Sequence, residues 1–144
     1  MERRRLLRFG LAGAATIATA GTWGPGAQAQ PNGELSVHAL DATIGQPAAG
    51  VVVGLFDVSA ERPVEINQMT TNANGQADLI KGVPVKVGRY EIRFAVADYF
   101  RSRGLVLGNP PFLDVVPIRL YLGNAQGNYH VPVVFTPWSY TMHG

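Results

Sequence analysis

The chain has 144 residues, no cysteine and a formal net charge of +2 at pH 7. This length suits one small domain with a short extension, and the absence of cysteine excludes a disulfide-stabilised fold. Residues 1–29 hold four basic side chains and one acidic one, whereas residues 30–144 hold eight basic and nine acidic ones, a charge of −1. The basic character belongs to the first segment, so we predict no nucleic acid partner.

The first 29 residues have the pattern of a secretory signal peptide. Basic residues at positions 3–8 precede a short apolar stretch at positions 9–20, and residues 27–29 form an A-x-A cleavage site. Paired arginines followed by two leucines are typical of the twin-arginine export route. An uncleaved membrane anchor is disfavoured because the apolar stretch is too short to span a bilayer. We therefore predict a cleaved leader at 1–29, a domain at 30–144, a periplasmic location and no membrane partner after cleavage.

After this leader the chain alternates short apolar segments with turns. A first strand is predicted at residues 35–40, where every second residue is apolar, and a loop at residues 41–49 follows it. The pair Asn74-Gly75 predicts a tight turn with positive φ. The other strands predicted in this half lie at residues 51–58, 64–71 and 77–80.

The second half continues this pattern, with one short helix. Residues 88–96 form the clearest half-buried strand, since three large apolar residues alternate there with three charged ones. A helix is predicted at residues 97–103 and ends at Gly104. The remaining strands are predicted at residues 115–122, 128–135 and 138–143, with Pro117 marking an edge or a bulge. This succession predicts an all-β sandwich with one short helix.

Two of the three histidines stand near the centres of predicted strands. His38 lies in the strand at residues 35–40, and His130 lies in the strand at residues 128–135. Two strands that each present one imidazole can form a shared site, and an imidazole near its pKa can take a proton from water. Together with His143, the same residues also suit a zinc site with three imidazole ligands, although they lack close ligand spacing.

Five segments, in order, resemble signatures of the transthyretin family and of its enzyme branch, the 5-hydroxyisourate hydrolases. Residues 35–48, LSVHALDATIGQPA, resemble the opening S-x-H-V-L-D…G-x-P-A signature, and residues 71–75, TNANG, resemble the T-N-x-D-G turn. Residues 88–94, GRYEIRF, resemble a G-x-Y-x-L-x-F strand, and residues 98–100 fall where the family has its short helix. Residues 129–137, YHVPVVFTP, resemble the H-Y-H-V-P-L-L-L-S-P signature. The ordered set covers the predicted domain nearly end to end.

This resemblance implies a two-sheet, prealbumin-like sandwich that assembles as a homotetramer, with sites in a channel between dimers. It implies a small-molecule substrate, 5-hydroxyisourate or a similar cyclic amide, whose six-membered ring is opened by hydrolysis during urate degradation. It also implies that neither a cofactor nor a metal is used. The family's site combines two signature histidines, here His38 and His130 as catalytic residues, with an arginine after the turn and a C-terminal Y-R-G-S.

The chain departs from this family pattern at three places. Asn128 replaces the first histidine of H-Y-H, and Gln76 stands where the family has its arginine. The tail has no Y-R-G-S. Without a gap His143 falls on the tyrosine and Gly144 on the arginine, whereas a one-residue gap places His143 on the arginine. By position we predict substrate contacts from Gln76, Tyr140, Thr141 and His143.

The missing guanidinium has a chemical consequence. Gln76 offers an amide donor and acceptor but no charge, and a charged hydrogen bond to a developing oxyanion is worth on the order of 10²-fold in rate. We therefore expect a slower hydrolase, a changed substrate or, alternatively, a non-catalytic transthyretin-like binding protein. Such a protein would hold its ligand with apolar residues such as Val133, Phe135 and Met142. Another arginine could restore the charge, the candidates being Arg89, Arg93, Arg101 and Arg103.

Overall fold

The computed structural model describes residues 33–144, so the predicted leader lies outside the described residues. Within this range the chain forms nine strands and one helix. The strands are β1 (Glu34–Asp41), β2 (Gln46–Pro47), β3 (Val52–Asp57), β4 (Val64–Thr70), β5 (Gln76–Lys81), β6 (Gly88–Phe94), β7 (Val116–Leu122), β8 (Asn128–Phe135) and β9 (Tyr140–Met142), and the helix is α1 (Val96–Ser102). No helix in the described range is long and apolar enough to cross a membrane.

Strand β1 is the centre of a five-stranded sheet. It pairs in parallel with β8 and antiparallel with β2 and β5, while β9 runs antiparallel to β8. The other sheet has four strands in the order β4-β3-β6-β7, and all its neighbours are antiparallel. This architecture confirms the predicted two-sheet sandwich with one short helix.

The alternation of side chains decides which face of the five-stranded sheet is buried. Every second residue of β1 from Leu35 to Ala39 is fully buried, and so is Val133 of β8, with Val131 only 6% exposed. A slip of one residue in β1 would turn these apolar side chains to solvent and bring His38 into the core, so the register is strongly specified. The buried face therefore determines where His38 points.

Helix α1 is attached to the same sheet through an aromatic cluster and a buried hydrogen bond. Tyr99 and Phe100 pack edge-on against each other and against Phe135, with ring centroids 5.0 to 5.7 Å apart. The Tyr99 hydroxyl donates to Oδ2 of Asp41 at 2.8 Å. Burial, followed by this hydrogen bond, raises the pKa of Tyr99 to about 12. Asp41 ends β1, so the helix stabilises the strand that carries His38.

One strand was not predicted. β2 lies inside the segment predicted as a loop, where Gln46 pairs with Asp41 and Pro47 pairs with Leu40. Two residues of turn-forming composition are too few to show the alternation of apolar and polar residues that predicts a strand. They pair with β1 because its edge is open beyond the end of β5.

The charged side of β6 is also less exposed than its alternation predicts. Glu91 is only 5% exposed, because its carboxylate accepts hydrogen bonds from Nε of Arg93 at 2.7 Å and from Nε of Arg119 at 2.6 Å. These two hydrogen bonds, the one from Arg93 first, hold the pKa of Glu91 below its usual range. The outer surface of the four-stranded sheet therefore carries a satisfied ion network.

Candidate active site

The two strand histidines lie on neighbouring strands and on the same face of the sheet. In the parallel β1–β8 ladder Ser36 pairs with His130, and His38 pairs with Pro132. Because the alternate residues fill the core, these side chains project from the outer surface of the five-stranded sheet. The two imidazole rings have centroids 6.3 Å apart at an interplanar angle of 35°. We call this surface, defined by Ser36, His38 and His130, the histidine face.

Ser36 is a site residue that the sequence prediction missed. Its Oγ lies 2.9 Å from Nδ1 of His130. The two residues are register partners, so a short serine side chain reaches the imidazole directly. The available signal was its position two residues before His38, which places both side chains on one face of β1.

Gln76 joins this face from the other side of β1. It is the register partner of His38 and stands at the first position of β5. The preceding turn fixes it there, since Oδ1 of Asn72 accepts hydrogen bonds from the backbone amides of Asn74 at 2.9 Å and of Gln76 at 3.0 Å. Gln76 is exposed, so its amide is free to meet a ligand beside His38.

Gly75 docks this turn onto β1. Its carbonyl accepts the amide of Ala39 at 2.7 Å. It has a φ of +74°, as the Asn-Gly pair predicted, whereas no residue other than glycine has a positive φ among residues 33–144. A Cβ at this position would lie 2.4 Å from the Ala39 carbonyl oxygen, so only glycine permits this close approach of turn and strand.

A carboxylate also reaches this side of the face. Asp78 of β5 is the register partner of Ser36, and its Oδ2 lies 3.2 Å from Nζ of Lys81. A cavity of about 200 Å³ borders Gln76 and Asp78, with Met69, Thr70, Asn72 and Ala77 as its other lining residues. The face therefore carries an amide and a carboxylate on the side of β5.

The tail extends the histidine face on the side of β8. Thr141 of β9 pairs with Val134 of β8. Beyond β9 the backbone amide of His143 donates to the carbonyl of Pro132 at 3.0 Å. Oγ1 of Thr141 lies 3.4 Å from Nε2 of His143. Alternation places Thr141 and His143 on the same side of the sheet as His130. Two of the three predicted tail contacts, Thr141 and His143, therefore border the face.

Tyr140 has a different position from the other predicted contact residues. It is the register partner of Phe135, so alternation turns it away from the histidine face. The prediction that Val133 and Phe135 line a ligand channel is wrong, because both side chains are buried in the core at 0% and 1% exposure. The apolar residues that do lie on the outer surface are Leu40, Pro132 and Val134.

None of the four arginines considered as replacements reaches the histidine face. Arg93 lies on the four-stranded sheet with its guanidinium 3.9 Å above the ring of Phe56. Arg89 lies on the same strand, β6. Arg101 and Arg103 belong to the helix and its end, where they lie 3.4 Å from Asp98 and 3.9 Å from Asp41 respectively. The face therefore has no guanidinium from these residues, and its chemistry depends on imidazole, hydroxyl, amide and carboxylate groups.

The alternative of a three-histidine metal site is not supported by the geometry. Within residues 33–144 no group of three or more histidine, cysteine, aspartate or glutamate side chains is arranged to hold a metal ion. The recorded side-chain contact of the His143 ring is with Oγ1 of Thr141, 3.4 Å from Nε2.

Comparison with known proteins identifies the family. The sequence profile described as the HIUase/Transthyretin family matches residues 35–144. The chain belongs to this family. A 5-hydroxyisourate hydrolase of Deinococcus radiodurans is 44% identical over 111 residues, which are 76% of this chain and 92% of that relative. This confirms the resemblance seen in the sequence.

Two solved structures place the HIUase/Transthyretin fold in context. An (S)-allantoin synthase superposes with a TM-score of 0.70 at 32% identity, and the match covers 80% of this chain and 45% of that one. Sea bream transthyretin in complex with thyroxine superposes with a TM-score of 0.67 at 26% identity, covering 76% of this chain and 92% of that one. The same sandwich is thus found in enzymes and in a protein that binds a small aromatic molecule.

Proposed function

We propose that this family member hydrolyses 5-hydroxyisourate, opening its six-membered ring in urate degradation. The observation that carries the proposal is the pair of imidazoles on one open sheet face, 6.3 Å apart between centroids, with the Gln76 amide beside them. The 44% identity to a hydrolase of that name, over 92% of its length, supports the same substrate.

The face supplies the groups that hydrolysis of a ring amide requires. One imidazole takes a proton from water as the water oxygen bonds to the carbonyl carbon. The carbon–nitrogen bond of the ring then breaks, and the nitrogen leaves with the electron pair and takes a proton from an imidazolium. Atoms and charges balance without a cofactor, because one water is added across one carbon–nitrogen bond. The amide of Gln76 donates to the carbonyl oxygen while negative charge develops there.

A coupled assay tests this proposal. Urate oxidase generates 5-hydroxyisourate from urate, and the decay of its absorbance is followed with purified protein, with no protein, and with His130→Asn. We expect accelerated decay with the wild type and loss of the acceleration in the variant. Gln68→Asn, an exposed change on the outer surface of the four-stranded sheet, is the matched control and should retain activity. Decay at the rate of the protein-free blank would contradict the proposal.

The same proposal includes a homotetramer. Two edge strands expose large apolar side chains, which favours association between copies. These are Tyr121 on β7 at 65% exposure and, in and before β9, Trp138 at 67%, Tyr140 at 42% and Met142 at 45%. Light scattering of the purified protein tests this, with a mass of four chains expected and a monomeric mass contradicting it.

We also propose export to the periplasm, on the basis of residues 1–29 alone. Changing the paired arginines by Arg4→Lys and Arg5→Lys should retain the protein in the cytoplasmic fraction, because twin-arginine export reads that pair. Export that is unaffected by the double change would exclude this route, and an uncleaved chain in the membrane fraction would exclude cleavage.

A binding function is the second candidate, favoured by one specific observation. Gln76 removes the charge expected of a hydrolase, and the sea bream relative in the same fold holds thyroxine. If neither the wild type nor Gln76→Arg accelerates the decay of 5-hydroxyisourate, calorimetric titration with aromatic carboxylates distinguishes a binding protein from one that does neither.

A further inference from the structure

We infer that Ser36 is a positioning residue that sets the tautomer of His130. The inference rests on the proposed function, since it assigns His130 the role of general base. In this arrangement Oγ of Ser36 accepts a hydrogen bond from Nδ1–H of His130. The lone pair of Nε2 is then free to take the proton of the attacking water.

The contact that carries the inference is specific to one of the two histidines. Ser36 Oγ lies 2.9 Å from Nδ1 of His130, a normal hydrogen-bond distance. His38 stands two residues further along β1, and its ring has no hydrogen bond of this kind in the described part of the chain. The two imidazoles are therefore not equivalent, because one has a hydroxyl as hydrogen-bond partner and the other has no such partner among the described side chains.

Strand geometry places Ser36 and His130 side by side. Ser36 and His130 are direct register partners in the parallel ladder, and the ladder spans all eight residues of both strands from Glu34 and Asn128 to Asp41 and Phe135. The buried alternate residues hold this register. The position of His130 beside Ser36 is thus determined by the core of the protein, and a fixed position is what a preorganised base requires.

The proposed direction of the hydrogen bond depends on where the Ser36 hydroxyl hydrogen points. β1 separates β5 from β8, so Asp78 and His130 flank Ser36 on opposite sides as its two register partners. The Asp78 carboxylate is itself paired with Lys81, with Oδ2 3.2 Å from Nζ. With the hydroxyl hydrogen turned toward β5, an oxygen lone pair of Ser36 faces His130, so Nδ1 donates, and the tautomer is fixed by the bond that this nitrogen makes.

This arrangement divides the work between the two histidines. His130, with Nδ1 protonated, is a base at Nε2. When Nε2 takes a proton the ring becomes an imidazolium, and its Nδ1–H still donates to Oγ of Ser36. His38, whose ring has no such hydroxyl partner, delivers a proton to the leaving nitrogen. Removing the Ser36 hydroxyl should therefore impair the chemical step and leave substrate binding largely intact.

The test combines ring-nitrogen NMR with kinetics on the full-length protein labelled at histidine. In the wild type we expect the His130 signals, assigned by their loss in His130→Asn, to show a protonated Nδ1 and a bare Nε2. Ser36→Ala should convert them to a mixture of tautomers and lower kcat about 10-fold, with KM changed by less than about twofold. Ser36→Thr keeps the hydroxyl and should restore both. Ser139→Ala deletes an exposed hydroxyl whose hydrogen-bond partner among residues 33–144 is Thr136, and it is the matched control.

Several outcomes would overturn the inference. A bare Nδ1 on His130 in the wild type would reverse the direction of the hydrogen bond. An unchanged tautomer in Ser36→Ala, or a kcat equally low in Ser36→Thr and Ser36→Ala, would reduce Ser36 to a structural residue. If the wild type has no hydrolase activity the proposed function fails separately, because the NMR measurement still decides whether Ser36 sets the tautomer.

Discussion

The outer surfaces of the two sheets use polar residues in opposite ways. On the four-stranded sheet, Glu91 is enclosed by Arg93 and Arg119, and Arg93 also stacks on Phe56. On the five-stranded sheet, His38 and Gln76 are register partners whose polar groups point outward, and His130 has the hydroxyl of Ser36 beside its Nδ1. The first surface is satisfied by its own side chains, whereas the second offers donors and acceptors to a ligand.

This difference separates residues that serve stability from residues that serve chemistry. Changing a polar group whose hydrogen-bond partners lie within the protein lowers the free energy of unfolding. A polar group that faces an open surface has little to lose in stability, so changing it should affect activity alone. The comparison therefore predicts that variants on the four-stranded sheet lose stability, whereas variants on the histidine face lose activity.

The largest expected effect is on turnover, from His130→Asn. Loss of a general base should lower kcat by on the order of 10³-fold, since acid–base catalysis by a positioned group contributes 10²–10⁴-fold. The melting temperature should change little, because His130 is exposed. Kinetics and thermal unfolding on the same preparation measure kcat and the melting temperature. A variant that loses activity and stability together would contradict the distinction between the two surfaces.

The faces of His38 and His130 could be predicted from the sequence, but their adjacency could not. Alternation fixes which residues of β1 and β8 are buried. Residues 94 positions apart, such as Ser36 and His130, are brought together only by the parallel pairing of the two strands. Without that pairing the contribution of Ser36 has no visible signal beyond its place beside His38.

Two positions that the sequence did not predict have the same origin. The burial of Glu91 depends on Arg119 from β7, a strand that lies 28 residues further along the chain and whose register with β6 is a tertiary property. Tyr140 turns from the histidine face because β9 takes its register from β8. Single-strand patterns predict faces, whereas cross-strand registers decide which residues meet.

The next largest effect should come from Gln76→Arg. Restoring a guanidinium beside His38 should raise kcat by up to on the order of 10²-fold, because a charged donor stabilises the developing oxyanion better than an amide does. The turn that positions residue 76 is made by backbone and Asn72 groups, so the substitution should leave it intact. Gln76→Lys is the matched control, since it adds charge without the planar fork of donors. Turnover that is unchanged or lower in Gln76→Arg would show that this position does not limit the rate.

The smallest effect, and one on stability alone, is expected from Glu91→Gln. The substitution keeps the shape of the side chain but removes the charge that Arg93 and Arg119 bind, which should cost about 1–3 kcal/mol at pH 7. The lowered pKa of Glu91 gives the effect a pH dependence. Because the folded-state pKa is lower than the unfolded one, the stabilisation is fully present above the unfolded value, near 4.5, and is lost as the pH falls through the folded value.

The free energies of unfolding of wild type and Glu91→Gln should therefore differ at pH 7 and converge as the pH falls below 4.5 and through the lowered folded-state pKa of Glu91. Urea titrations at a series of pH values measure this, with hydrolase activity recorded on the same samples. Activity should be unchanged at pH 7, since Glu91 lies on the opposite sheet from the histidine face. A difference in stability that does not narrow with falling pH would mean that Glu91 acts through packing and not through its charge. The two surfaces would then differ in how exposed their polar side chains are, and not in whether those side chains are ion-paired.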